Sequence, residues 1–335
     1  MLPIKILGTG IYAPGNPINN EELKELANID FDSEKTEKGL GIAQRHIAHL
    51  RGIEETTADF ATKAALNAIK DAGIGIDDVN LFIVATDTPE YISPATSLIV
   101  QGRVQGKESW ASSFDISASC ASFTIALDNA VRVMATDESI KHAVVIGVYN
   151  MPAYVRKGDA FGYSIFADGA GAFVLTREEN SNSKYINGQL LTDGTQWDYV
   201  GVYTGGTKNP VTEKVLKEKT QGLLNNKPIP SDRNVRLWPM VIEKLLSKSK
   251  AEIKDVDHYI FTQINRSVIK KVMAAIDQPL EKTSFVMDRY GYTGSGCVPM
   301  AFHHAIKEGK VKRGNKIVFV ASGAGLAVGS NFFIY

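Results

Sequence analysis

The segment DDVNLFIVATDTP at 77–89 returns as KDVDHYIFTQINR at 254–266, and the helical pattern ALDNAV at 126–131 returns as AFHHAI at 301–306. The two matches keep the same order and nearly the same displacement, as expected of one structural unit present twice. They imply two similar halves facing each other. A chain of 335 residues is long enough for such a duplicated fold with a substantial interior.

Within each half, short apolar or β-branched runs alternate with longer helical patterns: VNLFIVAT precedes TSLIVQGRV, SSFDIS precedes the helix after Cys120, and HAVVIGV is followed by GAGAFVL. This alternation predicts a mixed α/β architecture whose strands are buried on both faces and whose sheets are covered by helices. The N-terminal half is expected over 1–177 and the C-terminal half over 235–335. Between them, 178–234 is polar and rich in Gly, Pro and Asn, which predicts long loops with short helical pieces, serving as a mobile cover or as a plain solvated connection.

Acidic and basic side chains number 37 each, so no global field steers nucleic acid or an anionic membrane to the protein. Neither is expected as a partner. No apolar stretch approaches the roughly 20 residues that cross a bilayer. With two cysteines and a start, MLPIKILGTGIYAPG, that lacks the pattern of a secretory leader, a cytoplasmic protein with reduced thiols is expected. Gly8, Gly10 and Ala13 match the letter of a dinucleotide fingerprint, but Pro14 and Pro17 stand where its helix should begin. Those glycines are read as structural. The six histidines form no metal spacing with a cysteine, so zinc is not expected and no cofactor is called for.

Cys120 carries the chemistry. It lies where a strand-like run passes into a helical pattern, and a thiol in the first turn of a helix faces unpaired N–H groups and the positive end of the macrodipole, both of which favour the thiolate. A buried cysteine is more often a small hydrophobe. Here Ala118, Ser119, Ala121 and Ser122 keep the surroundings open to a ligand, and this favours a nucleophile. Two turns of small residues, FADGAGAFVL at 166–175 and SGAGLAVGS at 322–330, are of the kind that can point an N–H group into a pocket, although each taken alone reads as packing.

Cys120 in DISASCASF, TDTPEYISPATS at 86–97, ADGAGA at 167–172, YGYTGSG at 290–296 and GAGLAVGS at 323–330 occur in an order that resembles the β-ketoacyl-acyl-carrier-protein synthase III family of the thiolase superfamily. The resemblance spans essentially the whole chain. It implies a five-layered αβαβα fold, a homodimer or a heterodimer with a related chain, and a cysteine acylated from a coenzyme A or carrier-protein thioester. It places the nucleophile at Cys120 and the oxyanion hole at the N–H groups of Cys120 and of Ala324 or Gly325.

Three departures qualify it. The catalytic histidine position of the family reads Thr262, in Thr262-Gln263-Ile264-Asn265, and the catalytic asparagine position reads Tyr292, in Tyr290-Gly291-Tyr292-Thr293. Losing one preorganised donor of this kind costs about a hundred- to a thousandfold in rate, so decarboxylative condensation is expected to be weak. At the coenzyme A entrance, Lys35 and Gly39 replace a Trp and an Arg, and Ser267, beside Arg266, replaces a second Arg, which favours a carrier protein or a smaller thioester as donor. Ser93 falls where the family places a large residue that crosses the dimer interface and caps the acyl pocket. The expected function is therefore acyl transfer through Cys120. The alternatives are a non-catalytic partner subunit and a ketosynthase using Thr262 and Tyr292 as substitute donors.

Overall fold

The apolar runs become strands because, in parallel sheets covered on both faces, every side chain along the strand is buried. In the computed structural model, which describes residues 2–335, Ile4–Tyr12 (β1), Leu81–Ala85 (β2), Ser112–Ile116 (β3), His142–Tyr149 (β4) and Gly169–Arg177 (β5) form one sheet in the order β1-β5-β4-β2-β3. Lys184–Gln196 (β6), His258–Phe261 (β7), Lys316–Gly323 (β8) and Gly325–Ile334 (β9) form the other, in the order β6-β9-β8-β7. Every residue of β2, β4 and β7 is buried.

The two sheets repeat each other strand for strand. In the first, β1 is antiparallel to β5, β5 to β4, and β4 runs parallel to β2. In the second, β6 is antiparallel to β9, β9 to β8, and β8 runs parallel to β7. The sequence repeat of 77–89 and 254–266 is thus the pair β2 and β7. Only β3, parallel to β2 at the edge of the first sheet, lacks a counterpart.

The helices complete the layers. Thr57–Ala72 (α1) and Thr96–Gln105 (α2) cover the outer face of the first sheet, while Arg233–Lys248 (α4) and Arg266–Ala275 (α5) cover the second. Ser122–Thr136 (α3) and Cys297–Lys307 (α6), the helices of the second repeat, lie between the sheets and touch each other. The result is the expected αβαβα sandwich. Gly8 and Gly10 serve its packing: a Cβ on Gly10 would stand 2.2 Å from the Ala68 nitrogen, so β1 and α1 approach closely only because these positions carry no side chain.

The region 178–234 departs from its expected loop character. It contributes the long strand β6, which pairs with β9 on one side only and leaves much of its length exposed. An edge strand of this kind has no second apolar face, so KYINGQLLTDGTQ reads as polar in the sequence. Further on, Val200–Val202 pairs with Leu223–Asn225 in a small antiparallel ribbon.

Candidate active site

Cys120 sits in a tight elbow between β3 and α3. Ser119 adopts a left-handed backbone with φ of 52°, unusual for a residue with a side chain. Ser122 holds it there: its hydroxyl donates to the Ser119 carbonyl at 2.6 Å and accepts from the Ala118 N–H at 2.8 Å. The small residues noted around Cys120 build this turn. Helix α3 starts only at Ser122, so Cys120 lies just before the first turn rather than within it.

The expected thiolate is not the resting form. Cys120 is buried, and burial together with the nearby Asp87 carboxylate pushes its thiol up to about 11, against a partial lowering by the Tyr292, Ser119 and Tyr149 hydroxyls. The elbow presents a protonated thiol, because desolvation outweighs what the helix start offers.

The sulfur faces a cavity of about 590 Å³. Ser119, Tyr149 and Tyr292 line its inner end, and the ribbon Val200–Val202 with Leu223–Asn225 lines its outer part together with the exposed Trp197 and Ile229. The region 178–234 thereby covers the site. Gly323, Ala324 and Gly325, in the turn between β8 and β9, line the same cavity. A Cβ on Gly323 would stand 2.5 Å from the Ala118 oxygen and 2.9 Å from the Cys120 nitrogen, so this turn is pressed against the elbow backbone.

Thr262 and Tyr292 part company. Tyr292 lines the cavity, and burial holds its phenol well above the ordinary value, so it is a neutral O–H donor beside the sulfur. Thr262 does not line the cavity: it is buried at the end of β7, where its hydroxyl accepts the Ser322 N–H at 3.1 Å. From the same motif Ile264 reaches the cavity, Gln263 accepts the Val286 N–H at 2.9 Å, and Asn265 caps α5.

Ser93 is exposed, beside exposed Tyr91 and Ile92, and lies outside the cavity of its own chain. At the position expected for the entrance, the Ser267 hydroxyl donates to the Gly39 carbonyl at 2.6 Å, and Arg266 packs against Gly41. Lys35 is exposed nearby.

Four further residues meet at the site without having been singled out from the sequence. Asp87, in the TDTP motif after β2, is the only carboxylate lining the cavity among the described residues, and burial pushes it up to about 6. Arg233 is the only cation there among the described residues. Asn234 accepts the Ser322 hydroxyl at 3.1 Å, and Tyr149 closes β4. The available signal was a polar residue directly after a buried parallel strand, the usual place for ligand contacts in α/β sheets. Among the described residues, no histidine lines the cavity. Cys297, which opens α6 as Cys120 precedes α3, is fully buried; its sulfur accepts the Gln263 N–H at 3.3 Å, and burial pushes its thiol far up.

A duplicated αβαβα sandwich with a cysteine elbow facing a glycine turn across a covered cavity defines a thiolase-like protein. Comparison with known proteins narrows this. The family models for 3-oxoacyl-[acyl-carrier-protein] synthase III and for its C-terminal region match residues 114–194 and 246–334. The chain is 33% identical to the β-ketoacyl-[acyl-carrier-protein] synthase III of Wolbachia pipientis wMel, covering 98% of both chains. It is 31% identical to the protein of the same name from Clostridium perfringens SM101, covering 97% of both. The crystal structure of 3-oxoacyl-[acyl-carrier-protein] synthase III from Aquifex aeolicus VF5 superposes with a TM-score of 0.84 at 31% identity, over 99% of this chain and 100% of that one. The chain belongs to the β-ketoacyl-acyl-carrier-protein synthase III family, whose enzymes carry out acyl transfer and condensation in fatty acid or polyketide synthesis. Among the described residues, no helix is long and apolar enough to cross a membrane.

Proposed function

We propose that this chain is an acyltransferase in which Cys120 accepts an acyl group from a thioester and passes it to a second substrate, with decarboxylative condensation weak or absent. One observation carries the reading: Cys120 faces the cavity opposite the Gly323–Gly325 turn, whereas Thr262, at the position of the family's histidine, is outside that cavity with its hydroxyl tied to Ser322. Acylation needs the nucleophile and N–H donors for the oxyanion, and the turn can offer the Ala324 or Gly325 N–H beside that of Cys120. Stabilising the enolate of a decarboxylating malonyl thioester needs two donors at its oxygen. Tyr292 supplies one neutral donor, and Thr262 supplies none.

The acyl chain would occupy the apolar part of the cavity, beside Met151, Phe161 and Phe166, and the donor would be a carrier-protein or coenzyme A thioester. The raised thiol and the withdrawn Thr262 favour a second reading, a non-catalytic subunit that dimerises with an active relative. The test is to supply the protein with an acyl thioester and with carboxyl-labelled malonyl-carrier protein. An acyl adduct without labelled carbon dioxide supports the transferase. Labelled carbon dioxide at a rate typical of a condensing enzyme overturns it, and neither product favours the partner subunit.

A further inference from the structure

Among the described residues no imidazole lines the cavity, yet a protonated thiol must lose its proton to attack. The Ser119 hydroxyl lies 3.7 Å from the Cys120 sulfur, and Asp87, whose carboxyl the Ser119 hydroxyl helps to hold down, lines the same cavity. The Asp87 Oδ1 atom is buried without any protein partner. A buried carboxylate with a free oxygen is costly to keep unless it serves a purpose. We propose that Asp87 and Ser119 form a proton relay to Cys120, with Ser119 receiving the thiol proton as it gives its own to Asp87, in place of the missing histidine. The proposal rests on the reading of Cys120 as an acyl acceptor.

The step balances. Sulfur attacks the thioester carbonyl, forming the Cys120 S–C bond; the thiol proton enters the relay and leaves a proton on Asp87; collapse of the intermediate breaks the donor C–S bond. The relay then runs backward, the departing thiolate takes the proton, and Asp87 returns to carboxylate. Ser119 is the residue that touches the reacting sulfur. Asp87 acts through it.

The surroundings suit a carboxylate that titrates near neutrality. Burial raises it to about 6, against a lowering by the nearby Ser119 hydroxyl, so it is ionised and ready to accept at pH 7. The titratable groups facing it are Cys120 from the elbow, Tyr149 at the end of β4 and Tyr154 in the turn that follows. Arg233 and Tyr292 face the thiol, with Cys297 behind Tyr292. The three tyrosines are all held above their ordinary value, so they remain neutral across the range in which Asp87 ionises.

Two rates read the relay in the full chain: alkylation of Cys120 by iodoacetamide, and acylation by S-acetyl-N-acetylcysteamine, each followed by intact mass from pH 5 to 9 with Cys120→Ala as blank. In the wild type both rates rise through about pH 6 and then level. Asp87→Asn loses that limb and acylates roughly a hundredfold more slowly at pH 7; Ser119→Ala does the same, and Asp87→Glu recovers the limb.

A carboxylate that only repels the thiolate gives the opposite sign, since removing it eases thiol ionisation and speeds alkylation. Faster or unchanged alkylation in Asp87→Asn overturns the relay, as does a wild-type profile without the limb. If the wild type takes no acetyl group while the alkylation limb is present and lost in Asp87→Asn, the acyl-acceptor reading fails and the relay stands. Urea midpoints within the normal spread for all variants confirm that each rate comes from folded protein.

Discussion

The Ser322 N–H is bound by the Thr262 hydroxyl at 3.1 Å, and this bond fixes the start of the turn that faces Cys120. Thr262 therefore supports the Gly323–Gly325 turn instead of lining the cavity. Thr262→Val keeps the shape but strands a buried N–H, which costs about 1–3 kcal/mol of stability. A lowered urea midpoint together with slowed Cys120 acylation is the expected outcome. Thr262→Ser should restore both.

Gly323 has backbone, not a flexible side chain, in the space a Cβ would enter: the Ala118 oxygen at 2.5 Å and the Cys120 nitrogen at 2.9 Å. Gly323→Ala must displace the turn or the elbow. Misplacing one oxyanion donor costs about a hundred- to a thousandfold, so single-turnover acylation should fall by that order while the far-ultraviolet spectrum stays the same.

Stability should fall as pH rises from about 4 toward 7. Asp168, fully buried between the Ala48 N–H at 2.7 Å and the Asn150 side-chain amide at 2.8 Å, is pushed up to about 7 by burial, and Asp87 to about 6. Both pKa values are higher folded than unfolded. Above the unfolded value the denatured chain releases protons that the native protein still holds, so the stabilisation is complete at low pH and is lost through each native pKa. Urea midpoints at pH 5 and 8 should differ in that direction, and Asp87→Asn should shrink the difference.

The duplicated architecture was legible because two-faced burial writes strands such as β2 and β7 as unbroken apolar runs. The elbow was legible because its turn needs Ala118, Ser119 and Ser122 at fixed offsets from Cys120. Strand β6 was not, since an edge strand with an exposed outer half reads as a loop. Asp87 and Ser119 were not paired either: they meet only because β2 and β3 run parallel with Ala85 opposite Ile116, which brings the segments after both strands together. The motif order located Thr262 and Tyr292 but carried no information on which of them turns into the cavity.

Strand β3 leaves one edge of the first sheet unpaired, and near it Trp110 and Ile92 are exposed at 103% and 83%. Such an edge with large apolar neighbours fits the dimer implied by the family, in which Ser93 would approach the partner's cavity. Sedimentation of the purified chain should give a dimer, and Ile92→Glu with Trp110→Glu should give a monomer. A monomeric wild type would reserve this face for a related chain.

Cys120 should accept an acyl group despite its protonated resting thiol. Intact-mass measurement after incubation with acyl-carrier-protein and coenzyme A thioesters of several chain lengths tests it most directly. The wild type should carry a single acyl adduct that Cys120→Ala abolishes and Cys297→Ala leaves in place. No adduct from any donor, or an adduct that survives Cys120→Ala, would contradict it.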